Sequence, residues 1–258
     1  MMPKHILAWS GGKDSTACAI LARIHNLPID GIITLRPDPF KIGLSFTDKF
    51  EDFMGMPVQV IDGPTFEDSF YLKKGENAKY LGFIYGWPMT IYRTCSRIMK
   101  TDPIVAWQKQ QSEDTVMVVG IAIDEPERLQ GLRSTKDVSY LEQFEVTEKE
   151  ARSLCEEHGL LNPLYEHFDR IGCVRCPKQG LDALRKVRRL EPEKWQWCLD
   201  HDDESPVTFK PSGRTFKEID YRIRSGKWWA DGRTREGRLL NTGQMSYLYH
   251  HYCTIDHH

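Results

Sequence analysis

The chain has 258 residues and a mass of 30.0 kDa, enough for one sizeable domain with an appendage. With 40% hydrophobic and 28% charged residues, its composition excludes a disordered or fibrous protein. The formal net charge of −2 excludes a global field that would attract nucleic acid, so any such surface must be local. The start of the sequence lacks the long apolar stretch and small-residue cleavage site of a signal peptide, so we expect none, and no apolar run approaches the roughly 20 residues that span a bilayer. We therefore expect a soluble, cytoplasmic protein without membrane contact.

Strand and helix patterns alternate through the first half of the chain. Short apolar runs predict strands, and apolar residues at helical spacing predict helices that end at turn residues. The most apolar β-branched run, "TVMVVGI", predicts a central parallel strand. This alternation predicts an α/β fold with a doubly wound, mostly parallel sheet and helices on both faces. The predicted strands are 5–9, 30–37, 57–62 and 115–121, and the predicted helices are 15–26, 46–55 and 147–159.

A glycine-rich turn connects the first predicted strand to the first predicted helix. Gly11 and Gly12 allow backbone amides to approach an anion closely, and the helix N-terminus adds its dipole. Lys13 supplies a positive charge, whereas Asp14 would repel a phosphate unless Mg²⁺ stood between them. Hydroxyl donors for phosphate oxygens come from Ser10, Ser15 and Thr16.

The run Ser10-Gly11-Gly12-Lys13-Asp14-Ser15 lacks the spacing of a Walker A loop or of a dinucleotide fingerprint. It resembles the PP-loop, S-G-G-x-D-S, of the ATP pyrophosphatases. That resemblance implies a site for the pyrophosphate of ATP, with attack at the α-phosphate. The alternative interpretation is an ordinary glycine-rich turn with a Ser or Asp helix cap.

Cysteines form a second notable feature of the sequence. Seven thiols in a cytoplasmic chain are expected to stay reduced. Cys173-x-x-Cys176 is open to three interpretations: a redox dithiol, half of a metal site, or two incidental thiols. Because further cysteines are available upstream, we predict a four-thiolate centre for Zn²⁺ or a [4Fe-4S] cluster. Its predicted ligands are Cys95, Cys155, Cys173 and Cys176, whereas Cys18 is expected in the core.

Three further segments extend the resemblance over about residues 5–195, namely "GWPMTIYRTCSRIMKTDP", "VVGIAIDEPERL" and "EEHGLLNPLYEHFDRIGCVRCP". With the PP-loop they are similar to the phosphoadenosine-phosphosulfate (PAPS) reductase-like branch of the PP-loop family. The resemblance implies an adenine-nucleotide α-hydrolase fold with nucleotide contacts near Gly120, Glu125 and Arg128. The chain departs from the family at Ala122, where an arginine is usual, and in 37–46, which lacks D-T-G-x-E-x-P.

The C-terminal part differs in composition from the rest. Residues 180–190 and 191–201 predict short helices, and residues 209–240 carry nine Lys/Arg against four Asp/Glu with aromatic side chains between them. Such a segment can follow a phosphate backbone and stack on bases, or it can pack back on the core. We predict a nucleotide-binding domain over 1–180, which includes the cysteine segment, and a helical, basic and aromatic extension over 181–258.

Two enzymatic functions and one non-enzymatic function are compatible with these motifs. In the first, ATP and Mg²⁺ adenylate a substrate, assisted by Lys13, Asp14 and Arg128. A sulfur donor protein or small thiol then displaces AMP, with DNA or tRNA as the acceptor in the phosphorothioation or thiolation types that the family suggests. In the second, the chain is a PAPS or adenylylsulfate reductase, although Cys253 lacks the neighbours of a catalytic E-C-G-x-H thiol. The third is a nucleotide-binding protein without turnover.

Overall fold

The structure is a computed structural model that describes residues 3–73, 75, 82–88 and 94–225. These residues group into two compact units. Residues 3–63 and 102–173 form the first unit, and the described residues of 64–101 and 174–225 form the second. The described residues of 64–101 thus group with those of 174–225. The predicted boundary between the two domains at residue 180 stays a prediction.

The first unit is built on a parallel sheet of four strands in the order β3-β2-β1-β4. Leu7 of β1 is in register with Ile32 of β2 on one side and with Val118 of β4 on the other. The predicted α/β fold with a parallel sheet flanked by helices is confirmed. The strands are β1 (His5–Ala8), β2 (Gly31–Thr34), β3 (Val58–Val60) and β4 (Val116–Val118).

The predicted central position of the fourth strand is wrong. Strand β4 is the last of the four, and beyond it the described residues contribute a parallel bridge between Val118 and Val138. Ser139 then caps a helix, so the extended backbone stops there and this segment does not form a full strand. The apolar character of β4 reflects helices that cover both faces of the sheet rather than a middle position.

The described residues form twelve α-helices. Helices α1–α3 and α6–α9 belong to the first unit, which also has a 3₁₀ helix at Pro163–Glu166, and the others belong to the second unit. The bounds are α1 (Lys13–His25), α2 (Lys41–Leu44), α3 (Phe46–Met54), α4 (Phe66–Tyr71), α5 (Thr94–Ser96), α6 (Asp102–Gln108), α7 (Pro126–Leu132), α8 (Tyr140–Gln143), α9 (Glu148–Glu157), α10 (Leu181–Leu190), α11 (Pro192–His201) and α12 (Phe216–Ser225). Within the described residues, none of these helices combines the length and the apolar character needed to cross a bilayer.

Both faces of the sheet are covered. Because side chains alternate along a strand, Leu7 packs with α1, α3 and α9, whereas Ile6 packs on the opposite face with Trp107 of α6. Trp9 stacks on Phe50 with ring centroids 4.2 Å apart, which fixes the exit of β1 against α3. The chain therefore leaves β1 at a well-packed position and enters α1 over a short turn.

Local signals explain where several helices begin and end. Helix α3 ends at Gly55, which adopts a left-handed φ of 67°, a conformation that favours glycine. Helix α9 begins with a reciprocal capping box in which Thr147 and Glu150 each accept the other's backbone amide. Gly159, with φ of 63°, follows the end of α9. These predicted boundaries are confirmed.

The second unit has a core of aromatic side chains. Trp87, Phe209 and Phe216 are fully buried, and the indole Nε1 of Trp87 donates to Asp202 at 2.8 Å. Helices α10 and α11 were predicted, but α12 was not. A capping box of Thr215 with Glu218 marks its start and was the local signal that could have revealed it.

Candidate functional site

The glycine-rich turn lies where the strand order reverses. Strands β2 and β3 follow on one side of β1 and β4 lies on the other, so the loops after β1 and β4 flank a topological switch point. Open parallel sheets bind ligands at such a point, outside the carboxyl ends of the strands. Gly11 has a φ of 74°, which only glycine adopts without strain, and Gly12 is the N-cap of α1.

Hydroxyl groups form hydrogen bonds within the glycine-rich turn. Ser10 Oγ lies 3.2 Å from Ser15 Oγ and accepts a hydrogen bond from the amide of Gly12 at 3.3 Å. Ser15 Oγ donates to the carbonyl of Gly12 at 3.1 Å. Thr16 faces the core instead, because its side chain is 1% exposed and its hydroxyl accepts from Trp9 Nε1 at 3.0 Å. The structure thus brings Ser10, Gly12 and Ser15 together and places the Thr16 hydroxyl away from them.

Gly120, in the loop after β4, packs against the backbone of the first turn of α1. A Cβ built on this glycine would lie 2.5 Å from the amide nitrogen of Ser15 and 2.6 Å from the carbonyl carbon of Asp14. Real Cβ atoms do not approach backbone this closely, so any side chain would push the first turn of α1 away. The predicted binding residue Gly120 therefore has a definite geometric role: it allows the loop after β4 to contact the backbone of α1.

Two carboxylates, one of them from α9, lie beside the ammonium of Lys13 at the first turn of α1. Lys13 Nζ lies 2.7 Å from Asp14 Oδ1 and 3.4 Å from Glu148 Oε1. Burial raises the pKa of Asp14, the ion pair with Lys13 opposes this, and the charges of Glu148 and Glu125 raise it further. Burial by itself lowers the pKa of Lys13, but the hydrogen bond and the charges of Asp14 and Glu148 outweigh it, so the net shift is upward. The pKa of Asp14 is thus raised mainly by burial, and that of Lys13 by its carboxylate neighbours.

The loop after β4 adds further carboxylates. Glu125 accepts the amide of Ala122 at 3.3 Å through Oε2, and its Oε1 pairs with Arg128 at 2.5 Å. Asp124 accepts the first amide of α9, that of Glu148, at 3.0 Å. The predicted pair Glu125 and Arg128 therefore lies together at the start of α7, close enough for Glu125 to act on the charge of Asp14.

Two residues that the sequence analysis missed hold the turn from the other side. Asn162 Nδ2 donates to the carbonyl of Gly11 at 3.0 Å, and the hydroxyl of Tyr165 accepts the amide of Lys13 at 2.9 Å. Asn162 also accepts the amide of Leu164, which makes it the cap of the 3₁₀ helix. An Asn before Pro163 indicates such a cap. No local pattern indicates that the side-chain Nδ2 of the same residue reaches the glycine-rich turn.

Comparison with known proteins agrees with this geometry. The family model described as the phosphoadenosine phosphosulfate reductase domain matches residues 4–179, more than half of the chain. The chain belongs to the phosphoadenosine phosphosulfate reductase domain family. This confirms the resemblance seen in the sequence, and membership supports a related nucleotide-utilising enzyme.

Two curated relatives come from the archaeon Methanocaldococcus jannaschii. The chain is 29% identical over 202 residues to uncharacterized protein MJ0066, a match that covers 74% of this chain and 40% of the relative. It is 26% identical over 205 residues to uncharacterized protein MJ0973, which covers 75% of this chain and 46% of the relative. The chain therefore spans less than half the length of either relative.

The cysteines of this family member are distributed over both units. Cys155 is fully buried in the first unit and its Sγ donates to the carbonyl of Lys13 at 3.3 Å, and burial raises its pKa to about 12. Cys173 is the last residue of the first unit. In the second unit, burial raises the pKa of Cys95, and the nearby Cys176 adds to the shift. Cys18 is buried in the core as expected.

The described residues do not present a finished metal centre. In residues 3–73, 75, 82–88 and 94–225, no three His, Cys, Asp or Glu side chains are grouped so that they could hold a metal ion. Without a metal, the buried Cys155 is a packed, neutral thiol. The four-cysteine centre stays a prediction, and no step proposed below passes through it.

Part of the basic and aromatic segment 209–240 is described. Phe209 and Phe216 are buried in the second unit, where their ring centroids lie 4.9 Å apart, so they are not available to stack on bases. Arg224 of α12 pairs with Asp220 at 2.7 Å. Residues 226–240, which include Trp228 and Trp229, lie outside the described residues, as does Cys253.

Proposed function

We propose that this chain uses magnesium ATP to adenylate an oxygen of a substrate, with release of pyrophosphate, as the activating step of sulfur transfer. One observation carries the proposal: Asp14 and Glu148 both lie within ion-pair distance of Lys13 Nζ beside the glycine-rich turn, at 2.7 and 3.4 Å, so two carboxylates share one ammonium. A nucleotide phosphate that entered this region would face these carboxylates, whose charge a divalent cation would neutralise.

The carboxylates fit a magnesium ion better than they fit a bare sulfonucleotide. Mg²⁺ prefers oxygen ligands and takes one or two carboxylates together with phosphate oxygens and water. Asp14 is half-buried and Glu148 is half-exposed, so both remain accessible to such an ion. When bound, the ion would neutralise charge on the phosphates. Asp14 is therefore the residue that we propose as its main protein ligand.

The residues of the turn would act on the leaving group. As the substrate oxygen bonds to the α-phosphorus, the bond between that phosphorus and the bridging oxygen breaks, and negative charge gathers on the departing pyrophosphate. The hydroxyls of Ser10 and Ser15 and the ammonium of Lys13 are grouped at one helix N-terminus, where they can donate to that charge. The substrate hydroxyl loses its proton to solvent.

Sulfur transfer would complete the reaction. Hydrosulfide, supplied by a donor protein or small thiol, attacks the adenylated carbon or phosphorus of the acceptor and forms a bond from sulfur to that atom. The bond from the same atom to the original oxygen breaks, and AMP leaves with that oxygen. The sulfur enters and remains at the sulfide level, so the transfer itself needs no oxidant or reductant. A nucleic-acid acceptor is proposed on the family resemblance, because Lys217 and Arg224 of α12 are paired with Asp203 and Asp220 and do not by themselves support it. Phe209 and Phe216 no longer support it, because they are buried.

The family also suggests sulfonucleotide reduction as a second function, in which a thiol attacks the sulfur of PAPS. The sequence candidate for the catalytic thiol of that reaction, Cys253, lies outside the described residues. Product analysis separates the two functions. Pyrophosphate released from ATP supports adenylation, whereas sulfite formed from PAPS with reduced thioredoxin supports the reductase. Tight ATP binding without either product would instead indicate a protein without turnover.

The sharpest test of the proposal varies Mg²⁺. Full-length protein would be mixed with ATP, hydrosulfide and total tRNA or plasmid DNA, and pyrophosphate release would be followed as Mg²⁺ is titrated. We expect Asp14→Asn to raise the Mg²⁺ concentration for half-maximal rate at least tenfold. Asp52→Asn, on an exposed face of α3, serves as the matched control and should behave as wild type. Equal Mg²⁺ dependence for both variants would refute the role of Asp14.

A further inference from the structure

The amide of Lys13 already has an internal acceptor. Its N–H donates to the hydroxyl of Tyr165 at 2.9 Å, and a Cβ built on Gly12 would lie 3.6 Å from the same hydroxyl. Amides in the first turn of a helix after a glycine-rich loop are the groups that bind phosphate oxygens. The Tyr165 oxygen thus occupies, at one backbone donor of α1, the place that a phosphate oxygen would take.

Tyr165 is held in this position by its surroundings. It lies in the 3₁₀ helix that Asn162 caps, and the guanidinium of Arg152 lies 5.5 Å from the centre of its ring. Burial raises the pKa of the phenol, so the hydroxyl stays neutral near pH 7. A neutral hydroxyl is a weaker acceptor than a charged phosphate oxygen, whose hydrogen bonds are about twice as strong.

We propose that the Tyr165 hydroxyl is a placeholder, which pyrophosphate or the polyphosphate of a nucleotide displaces from the amide of Lys13. The inference rests on the proposed function, because it assumes that the turn binds phosphate. Its consequence is specific. Binding must first break an internal hydrogen bond, so Tyr165 lowers the affinity of the turn for phosphate rather than contributing to it.

Tyr165→Phe should therefore tighten binding. The variant keeps the ring, its packing and its contact with Arg152, but it removes the competing acceptor. A net hydrogen bond in a protein corresponds to a change of about two- to tenfold in an equilibrium constant. We expect the dissociation constant of magnesium pyrophosphate to fall by about that factor.

Tyr140 provides a matched control. It is a buried tyrosine of the same unit, and its hydroxyl donates to the carbonyl of Pro28 at 2.7 Å, away from the turn. Tyr140→Phe makes the same chemical change and also removes one internal hydrogen bond. A purely structural role for both hydroxyls would lower the thermal stability of both variants and leave pyrophosphate affinity unchanged.

Isothermal titration of wild type and both variants with magnesium pyrophosphate and magnesium ATP tests the inference. Tighter binding by Tyr165→Phe alone supports it. Unchanged or weaker binding by Tyr165→Phe, while wild type binds, overturns the placeholder and leaves the proposed function standing. Absence of binding by wild type and both variants overturns the proposed function and the placeholder together, so the two failures are distinguishable.

Discussion

Asn162 and Gly11 are 151 residues apart in the chain and are joined by a buried hydrogen bond of 3.0 Å from the amide nitrogen of one to the carbonyl of the other. The same Asn162 side chain accepts the amide of Leu164 at 3.0 Å. One side chain therefore fixes both the glycine-rich turn and the 3₁₀ helix that carries Tyr165. We expect the shape of the turn to depend on this distant residue as much as on its own glycines.

Replacing Asn162 by Ala should loosen the turn. The change leaves a buried carbonyl and a buried amide without their partner, which costs about 1–3 kcal/mol. Hydrogen exchange of peptides over 5–25 would show faster opening, and urea unfolding would show the lower stability. Gln110→Ala removes an exposed amide side chain of the same unit and should change neither measurement. Unaltered exchange in the Asn162 variant would contradict the bracing role.

Gly120→Ala should be destabilising although the substitution is small. The added methyl would meet the backbone of Ser15 and Asp14, which cannot move without shifting α1. Overpacking of this kind costs about 1–3 kcal/mol. We also expect ATP binding to weaken, because the first turn of α1 is displaced.

Gly131→Ala is the matched control for that substitution. Gly131 lies inside α7, and a Cβ there meets nothing within 4 Å. Alanine favours helices over glycine by about 1 kcal/mol, so this variant should gain stability in the same urea titration. If both alanines stabilised the protein, close contact at Gly120 would be ruled out.

The capping box of α9 predicts how stability depends on pH. Hydrogen bonds from the backbone and the side chain of Thr147 lower the pKa of Glu150 below its ordinary value. The stabilisation is therefore complete above the ordinary pKa and is lost as the pH falls through the lowered one. Glu150→Gln should reduce stability at pH 7, and the difference from wild type should shrink towards about pH 3. Urea unfolding followed by circular dichroism measures both, and Glu113→Gln, at an exposed turn, is the control.

Cys155 should react like a core thiol. Because burial raises its pKa to about 12, it stays neutral at pH 8, and we expect iodoacetamide to modify it only after unfolding, as for Cys18. Metal analysis of anaerobically purified variants extends the test. If the predicted four-cysteine centre forms, Cys155→Ala should lose zinc or iron that Cys18→Ala retains. Equal metal content in the two variants would exclude Cys155 as a ligand.

Much of the local structure follows from local patterns. The strand before the glycine-rich turn, the left-handed Gly55 and Gly159, and the capping box of α9 all depend on residues within a few positions of one another. Their backbone preferences and hydrogen bonds act at short range, so the order of residues is sufficient to predict them. The motif Ser10 to Ser15 belongs to this class, and it correctly indicated the family.

Contacts between distant segments could not be predicted in this way. Nothing near Tyr165 in sequence indicates that its hydroxyl meets Lys13, and nothing near Gly120 indicates that it touches Ser15. The core orientation of Thr16 and Cys155 likewise depends on which neighbours α1 and α9 acquire on packing. Periodicity specifies that a face is buried, but not which partner covers it.

The amino-acid sequence by itself determined the class of the sheet, the glycine-rich turn and the family, because each is encoded in short runs of residues. Only the tertiary structure decided that β4 is the last strand among the described residues, that Asn162 and Tyr165 hold the turn, and that Glu148 of α9 lies beside Lys13. The physical reason is that hydrogen bonds and charges act through space, and the distances between remote residues exist only once the chain has packed.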